Sequence, residues 1–209
     1  MHRAAERVIA LYDAHGRQWD VDRRRERQPD GTARERHWLE RLAGLLPAAA
    51  PVLDVGCGSG TPIAQTLIAL GFTVTGVDAS GMMMELFRSR LPAAAAYLAD
   101  MRGLELGTQF HGLIAWNSLF HLSANDQRAM FPTFARHAAS GAALLFTSGT
   151  GHGEAIGMLH GEPLYHASLD PQEYAALLAE NGFALREHVV DDPHCHRNVW
   201  FAQHAVSTG

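Results

Sequence analysis

From residue 51 onward, short apolar runs alternate with longer segments whose apolar residues recur at helical spacing. The runs at 52–55, 73–77, 95–99, 112–116, 142–147, 184–190 and 199–203 predict seven strands. Most lack clean apolar–polar alternation, as do strands covered on both faces. Between them, 62–70, 82–91, 125–139 and 171–180 predict helices. Ser123 with Asp126 caps one of these, while Asp170, Pro171 and Glu173 open another that Asn181 and Gly182 close. This order predicts a doubly wound α/β sheet. The last two strands are joined by only about eight residues, whereas a parallel crossover takes a dozen or more. They are therefore expected to be antiparallel neighbours.

Residues 1–50 read differently. Segment 3–27 is rich in arginine and glutamate, with Val8, Leu11 and Tyr12 at helical spacing. The charge run 20–30, closed by Pro29 and Gly31, reads mostly as a solvated helix face and turn. Thr32 with Glu35 forms a capping-box pattern before a second helix, which Trp38, Leu39, Leu42 and Leu45 make amphipathic and Pro47 ends. The expected division is an N-terminal helical segment, 1–50, and an α/β domain, 51–209.

Composition narrows the function. The chain has 209 residues, 47% hydrophobic and 19% charged, as befits one globular domain with an appended lobe at most. A net charge of −5 argues against nucleic-acid or anionic-membrane partners. All 17 cationic side chains are arginine, so no lysine is present to act as nucleophile or Schiff-base former. Cys57 and Cys195, far apart in sequence, build no disulfide framework and fit a reducing cytoplasm. The N-terminus lacks the continuous apolar stretch of a signal peptide, and no run is long enough to span a membrane.

The candidate chemistry lies at the carboxyl ends of the strands, where such sheets bind ligands. The first strand runs into VLDVGCGSG, residues 52–60. Its glycines permit a sharp turn and close approach of backbone to ligand. The register is not that of a dinucleotide loop, because the third small position is Thr61 or Ile63. A phosphate-binding P-loop needs Gly-Lys, and this chain has no lysine. The second strand ends at Asp78, eighteen residues beyond Gly60, where an acid accepts ribose hydroxyls. The third ends in Asp100 and Met101, partners for an exocyclic amine and an aromatic base. The fourth ends in Trp116-Asn117-Ser118-Leu119-Phe120-His121, a polar cluster that breaks an apolar strand. Together these groups suit an amine, a ribose and an adenine, with no anion clamp.

VLDVGCGSG, VTGVDAS and YLADM resemble the successive cofactor motifs of the class I S-adenosylmethionine-dependent methyltransferases, over roughly residues 32–203. The resemblance implies a Rossmann-like seven-stranded sheet with an antiparallel last strand. It also implies N-terminal helices that roof the pocket, with Tyr12–Asp13, as in small-molecule members; Tyr12 and Trp19 are then candidates for an aromatic lid over the cofactor, against the plainer reading of core packing. Carried over by match, Gly56, Cys57, Gly58 and Gly60 face the methionine portion and ribose. Asp78 with Ala79 binds the ribose, and Asp100 and Met101 hold the adenine. Asp54 organises the loop and reaches the amino group through water. Asn117 orients cofactor or acceptor. Members that methylate bases or amides carry Asn-Pro-Pro-aromatic here, whereas this chain has Asn117-Ser118-Leu119-Phe120.

The expected activity is methyl transfer to an oxygen or nitrogen of a small molecule. His121 is the first candidate base, since imidazole titrates near neutrality. Trp116, Ser118 and Phe120 are candidate acceptor contacts. The glycine- and histidine-rich connection 149–165 and the residue after it add His166 as a second catalytic candidate and Tyr165 as an acceptor contact, against the plainer reading of a flexible loop. His194-Cys195-His196 offers too few ligands on one side for a structural zinc site, so no metal is expected. The competing reading is a cofactor-binding sensor or partner protein without transfer activity. A cytoplasmic monomer or homodimer is expected.

Overall fold

The computed structural model describes residues 3–26 and 33–206. Seven strands form one sheet: β1 (Pro51–Val55), β2 (Thr73–Asp78), β3 (Ala95–Leu98), β4 (Phe110–Ala115), β5 (Ala138–Ser148), β8 (Phe183–Val189) and β9 (Asn198–His204). Their spatial order is β3-β2-β1-β4-β5-β9-β8. The last strand, β9, runs antiparallel to both of its neighbours, as the short final connection required. Order reverses between β1 and β4, so the carboxyl ends of these strands diverge around a crevice.

Successive strand residues feed opposite layers. Leu53, Leu113, Leu144 and Phe146 pack with Phe131 and Phe134 of α6 (Ala124–His137) and with Tyr174 and Leu178 of α7 (Pro171–Glu180). Val52, Ile114, Ala143 and Leu145 pack on the other side, against α3 (Arg36–Ala43), α4 (Ile63–Ala69) and α5 (Gly81–Arg90). Burial on both faces explains why these strands read as apolar runs. Two helix starts follow their capping signals. Ser123 accepts from the Asp126 N–H at 3.3 Å, and Asp170 from the Gln172 N–H at 2.8 Å.

Three features of the fold differ from the sequence reading. Connection 149–165 is not a plain loop: β6 (Gly153–Leu159) and β7 (Glu162–Ser168) form a two-stranded hairpin. Leu159 pairs with Glu162 around His160–Gly161, both of which have positive φ, at 49° and 88°. That is the backbone a two-residue hairpin turn needs. His-Gly in place of Asn-Gly, followed by Pro163, muted the signal.

Glu35 does not complete a capping box. It is buried and ion-paired with Arg23, while Thr32, its supposed partner, lies outside the described residues. Within the charge run, Asp20 and Arg23 are buried or nearly so instead of solvated, each in an ion pair. Tertiary partners made these charges interior.

The N-terminal segment splits in two. Helix α3 joins the sheet's own helical layer through Trp38, Leu39 and Leu42. Helices α1 (Arg3–Glu6) and α2 (Val8–Arg25) instead pack on the hairpin, where Val8 and Leu11 meet Leu164 and Tyr165. Polar contacts fix α2 along α5. Asp13 accepts from the Ser80 hydroxyl at 2.7 Å, Arg17 donates to Glu85 at 2.6 Å, and Asp20 takes both terminal nitrogens of Arg90.

Candidate functional site

The crevice at the ends of β1, β2 and β4 opens into a chamber walled by the glycine loop and roofed by α1 and α2. The loop is tied to β2, with the N–H groups of Gly56 and Cys57 both donating to the Val77 carbonyl, at 2.7 and 3.0 Å. Its glycines serve different ends. A Cβ on Gly56 would stand 2.3 Å from Ser118 Cβ, so glycine there lets β1 and β4 meet. Gly58, at φ 54°, donates its N–H to Asp78 at 2.9 Å, and the Trp19 ring stands 3.6 Å from where its Cβ would be. Gly60 does not line the chamber; a Cβ there would run into Leu91 and Phe87 at 2.8 and 2.9 Å. Its smallness permits loop-to-helix packing. Cys57 is buried at the chamber wall, and burial pushes its thiol well up, so it stays a neutral packing group.

Acids dominate the floor. Asp78 accepts from Gly58 N–H and from Ser80 N–H, both at 2.9 Å. A carboxylate holding two donors keeps lone pairs for two more. Burial raises its pKa, against those hydrogen bonds. Asp54 is 1% exposed, and its Oδ2 has no partner among the described residues. Burial first, and the Asp78 charge second, push it up to about 8. An unpartnered buried acid is costly unless a ligand supplies the missing donor or positive charge. Ala79 and Met101 also line the chamber. Asp100 lines it too, although Arg102 donates to both its carboxylate oxygens at 2.5–3.0 Å. Those hydrogen bonds overcome burial and lower the Asp100 pKa.

The end of β4 supplies the opposite wall. Asn117 adopts φ 52° and donates its N–H to Thr147 at 2.8 Å. The Ser118 hydroxyl donates to the Val55 carbonyl at 2.7 Å, fastening the two strand ends together. The Trp116 indole N–H is buried without a partner among the described residues. His121 lies beneath α2. Its Nδ1 meets the Tyr165 carbonyl at 3.0 Å, an acceptor only, so Nδ1 carries the proton. Nε2 therefore accepts, and the Tyr12 hydroxyl donates to it at 3.0 Å. Burial, against the Tyr165 bond, lowers the His121 pKa to about 3 and keeps the ring neutral. Tyr12 packs edge-on to both Trp19 and His121, with centroids 5.7 and 5.5 Å away.

Three acceptor-side candidates lie elsewhere. The Tyr165 side chain is fully buried under α2 and donates to Glu154 at 2.8 Å, so it does not line the chamber. Phe120 and His166 line a second hollow beside it, together with the turn before β6 and Arg197. The sequence reading passed over Arg23 and Ser80, and it named Asp13 only as part of the lid, without its bond to Ser80. It also passed over Arg102 and Arg197. No group of three or more His, Cys, Asp or Glu residues is placed to hold a metal among the described residues. Nor is any helix there long and apolar enough to cross a membrane.

Residues 52–141 match the family model described as a methyltransferase domain. A dTDP-3-amino-3,6-dideoxy-alpha-D-glucopyranose N,N-dimethyltransferase of Streptomyces fradiae is 34% identical over 93 residues, which are 44% of this chain and 36% of that protein. An O-methyltransferase of Pyrenophora dematioidea is 31% identical over 168 residues, or 74% of this chain and 62% of that one. The magnesium protoporphyrin IX methyltransferase of Synechocystis PCC 6803, solved with bound S-adenosylmethionine, superposes at TM-score 0.70 and 17% identity, over 98% of this chain and 99% of that one. The chain shares the fold of that solved methyltransferase, and residues 52–141 match the methyltransferase-domain model. The chain spans between 36% and 49% of the length of the first curated relatives it matches.

Proposed function

We propose that the chain is an S-adenosylmethionine-dependent methyltransferase that acts on a nitrogen or oxygen of a small molecule, as a cytoplasmic monomer or homodimer. The observation that carries this reading is Asp54, buried and unpartnered at Oδ2, beside Asp78 at the mouth of the glycine loop. Two acids that repel each other in one chamber suit a ligand with a cationic group and a ribose, and oppose a pyrophosphate. The relatives named as amino-sugar N,N-dimethyltransferases and as an O-methyltransferase support both acceptor atoms.

When bound, S-adenosylmethionine supplies an activated methyl group on a sulfonium. Asp78 uses its free lone pairs to accept the ribose hydroxyls, and Asp54 receives the amino group directly or through water. Asp100 and Met101 border the adenine. Helices α1 and α2 form a lid whose Tyr12 and Trp19 line the chamber and would exclude water from the bound cofactor and acceptor. Neutral His121 orients Tyr12. Burial, which lowers the His121 pKa to about 3, keeps it in this positioning role and out of the role of base. Trp116, Asn117, Ser118 and His121 line the same chamber as the acids, which favours transfer over a binding-only sensor.

Titration calorimetry with S-adenosylhomocysteine and with NAD tests the cofactor. Tight binding of the first and none of the second is expected, and the reverse would sink the proposal. Asp78→Ala removes acceptors for both cofactor and loop N–H groups and should weaken S-adenosylhomocysteine about a hundredfold. Acceptors are then screened by S-adenosylhomocysteine release.

A further inference from the structure

The second hollow has a charge pattern unlike the chamber. Many arginines of this chain close ion pairs with carboxylates, Arg23, Arg90 and Arg128 among them. Arg197 has no such pair among the described residues. It donates to the carbonyl of its neighbour His196 at 2.9 Å and lies 5.7 Å over the Phe120 ring. Its position is built. Asp192 is 4% exposed and accepts from Trp38 at 3.1 Å and from the N–H groups of His194 and Cys195 at 2.9 and 3.1 Å. The Asp192 N–H then donates to the Arg197 carbonyl at 2.9 Å, closing the loop at the base of β9.

The hollow adjoins the chamber through packed rings. His166 lies 4.9 Å from His121 and 5.3 Å from Phe120, and Phe120 lies 4.9 Å from His121. The one acid lining it, Glu154, is held by the Tyr165 hydroxyl at 2.8 Å. The Gly149 N–H is already given to Ser168, so any positive character comes from side chains. Gly151 has nothing within 4 Å of a would-be Cβ, which keeps the rim open.

We propose that Arg197 and His166 form an oxyanion subsite for the methyl acceptor, so that the acceptor carries a phosphoryl or carboxyl group opposite the atom that is methylated. The subsite rests on the methyltransferase reading and names its substrate class. Arg197 fixes the anionic end, and the free end reaches Tyr12 and His121 where the Phe120, His166 and His121 rings part to admit it. Arg197 also contributes to the depressed pKa values of His166 and His121, behind burial in both cases.

Two measurements on the full chain saturated with S-adenosylhomocysteine test the subsite. Inorganic phosphate and acetate are titrated separately while the His166 ring signals are followed by NMR. Saturable shifts are expected with at least one anion, phosphate marking a phosphoryl acceptor and acetate a carboxylate. Arg197→Ala should weaken that anion about tenfold, and Arg197→Lys should restore part of it. S-adenosylhomocysteine affinity should stay unchanged in both variants. In turnover, acceptor pairs differing only in a phosphoryl or carboxyl group should favour the anionic member, with the preference falling about tenfold in Arg197→Ala.

Silence of His166 toward both anions in the unsubstituted protein overturns the subsite, as does equal use of neutral and anionic acceptors. Neither result touches cofactor binding. A chain that fails to bind S-adenosylhomocysteine at all overturns the methyltransferase reading instead.

Discussion

At the residue scale, Asp54 links ligand binding to protons. Its pKa is raised by burial and by Asp78 to about 8, so the free protein holds it protonated at pH 7. A folded pKa above the ordinary carboxylate value adds a stabilising contribution that is full below about pH 4 and lost as pH rises through about 8. A cationic amino group beside Asp54 reverses the preference and favours the carboxylate. Binding of S-adenosylhomocysteine at pH 7 should therefore release about one proton, and its affinity should rise with pH up to about 8. Calorimetry in buffers of different ionisation heat reads this directly. Asp54→Asn should abolish the release, and proton-neutral binding in the unsubstituted protein would show that Asp54 does not face the cation. Asp54 was legible from its place two residues before the first glycine. Its lack of a partner was not, because that depends on what Asp78 and the loop leave free.

At the element scale, α2 is held by polar contacts to α5 and by an apolar seam to the hairpin. Asp20 is the strongest polar tie, buried and gripped by Arg90 from α5 and Arg24 from its own helix. Asp20→Ala leaves Arg90 unpaired and should cost about 2 kcal/mol. It should also speed hydrogen exchange of α2 amides about tenfold or more relative to the sheet, since α2 opens without the sheet. Exchange that accelerates equally in α2 and β5 would mean that the helix opens only with the whole protein. Helices α6 and α7 were legible because their caps are local. The hairpin β6–β7 was obscured, since His160-Gly161 is a weak turn signal and Pro163 argues against a strand.

At the scale of the whole molecule, the chamber joins the sheet to the lid, so its ligand should stabilise both. S-adenosylhomocysteine at a hundred times its Kd should add about 2.7 kcal/mol and raise Tm by roughly 5–10 °C for a domain of this size. Heating scans across ligand concentrations check this, and a Tm independent of ligand would separate lid and site from global stability. The sequence by itself determined the strand and helix order, the antiparallel last strand and the acids at the strand ends. These rest on periodicity, connection length and spacing, which are local properties of the chain. Only the tertiary structure decided that Asp20, Arg23 and Glu35 are interior, that Gly60 serves packing, and that Tyr12 meets His121 across 109 residues. It also decided that Arg197 lines a hollow with Phe120 and His166. Burial and pairing depend on partners distant in sequence, and no local pattern records them.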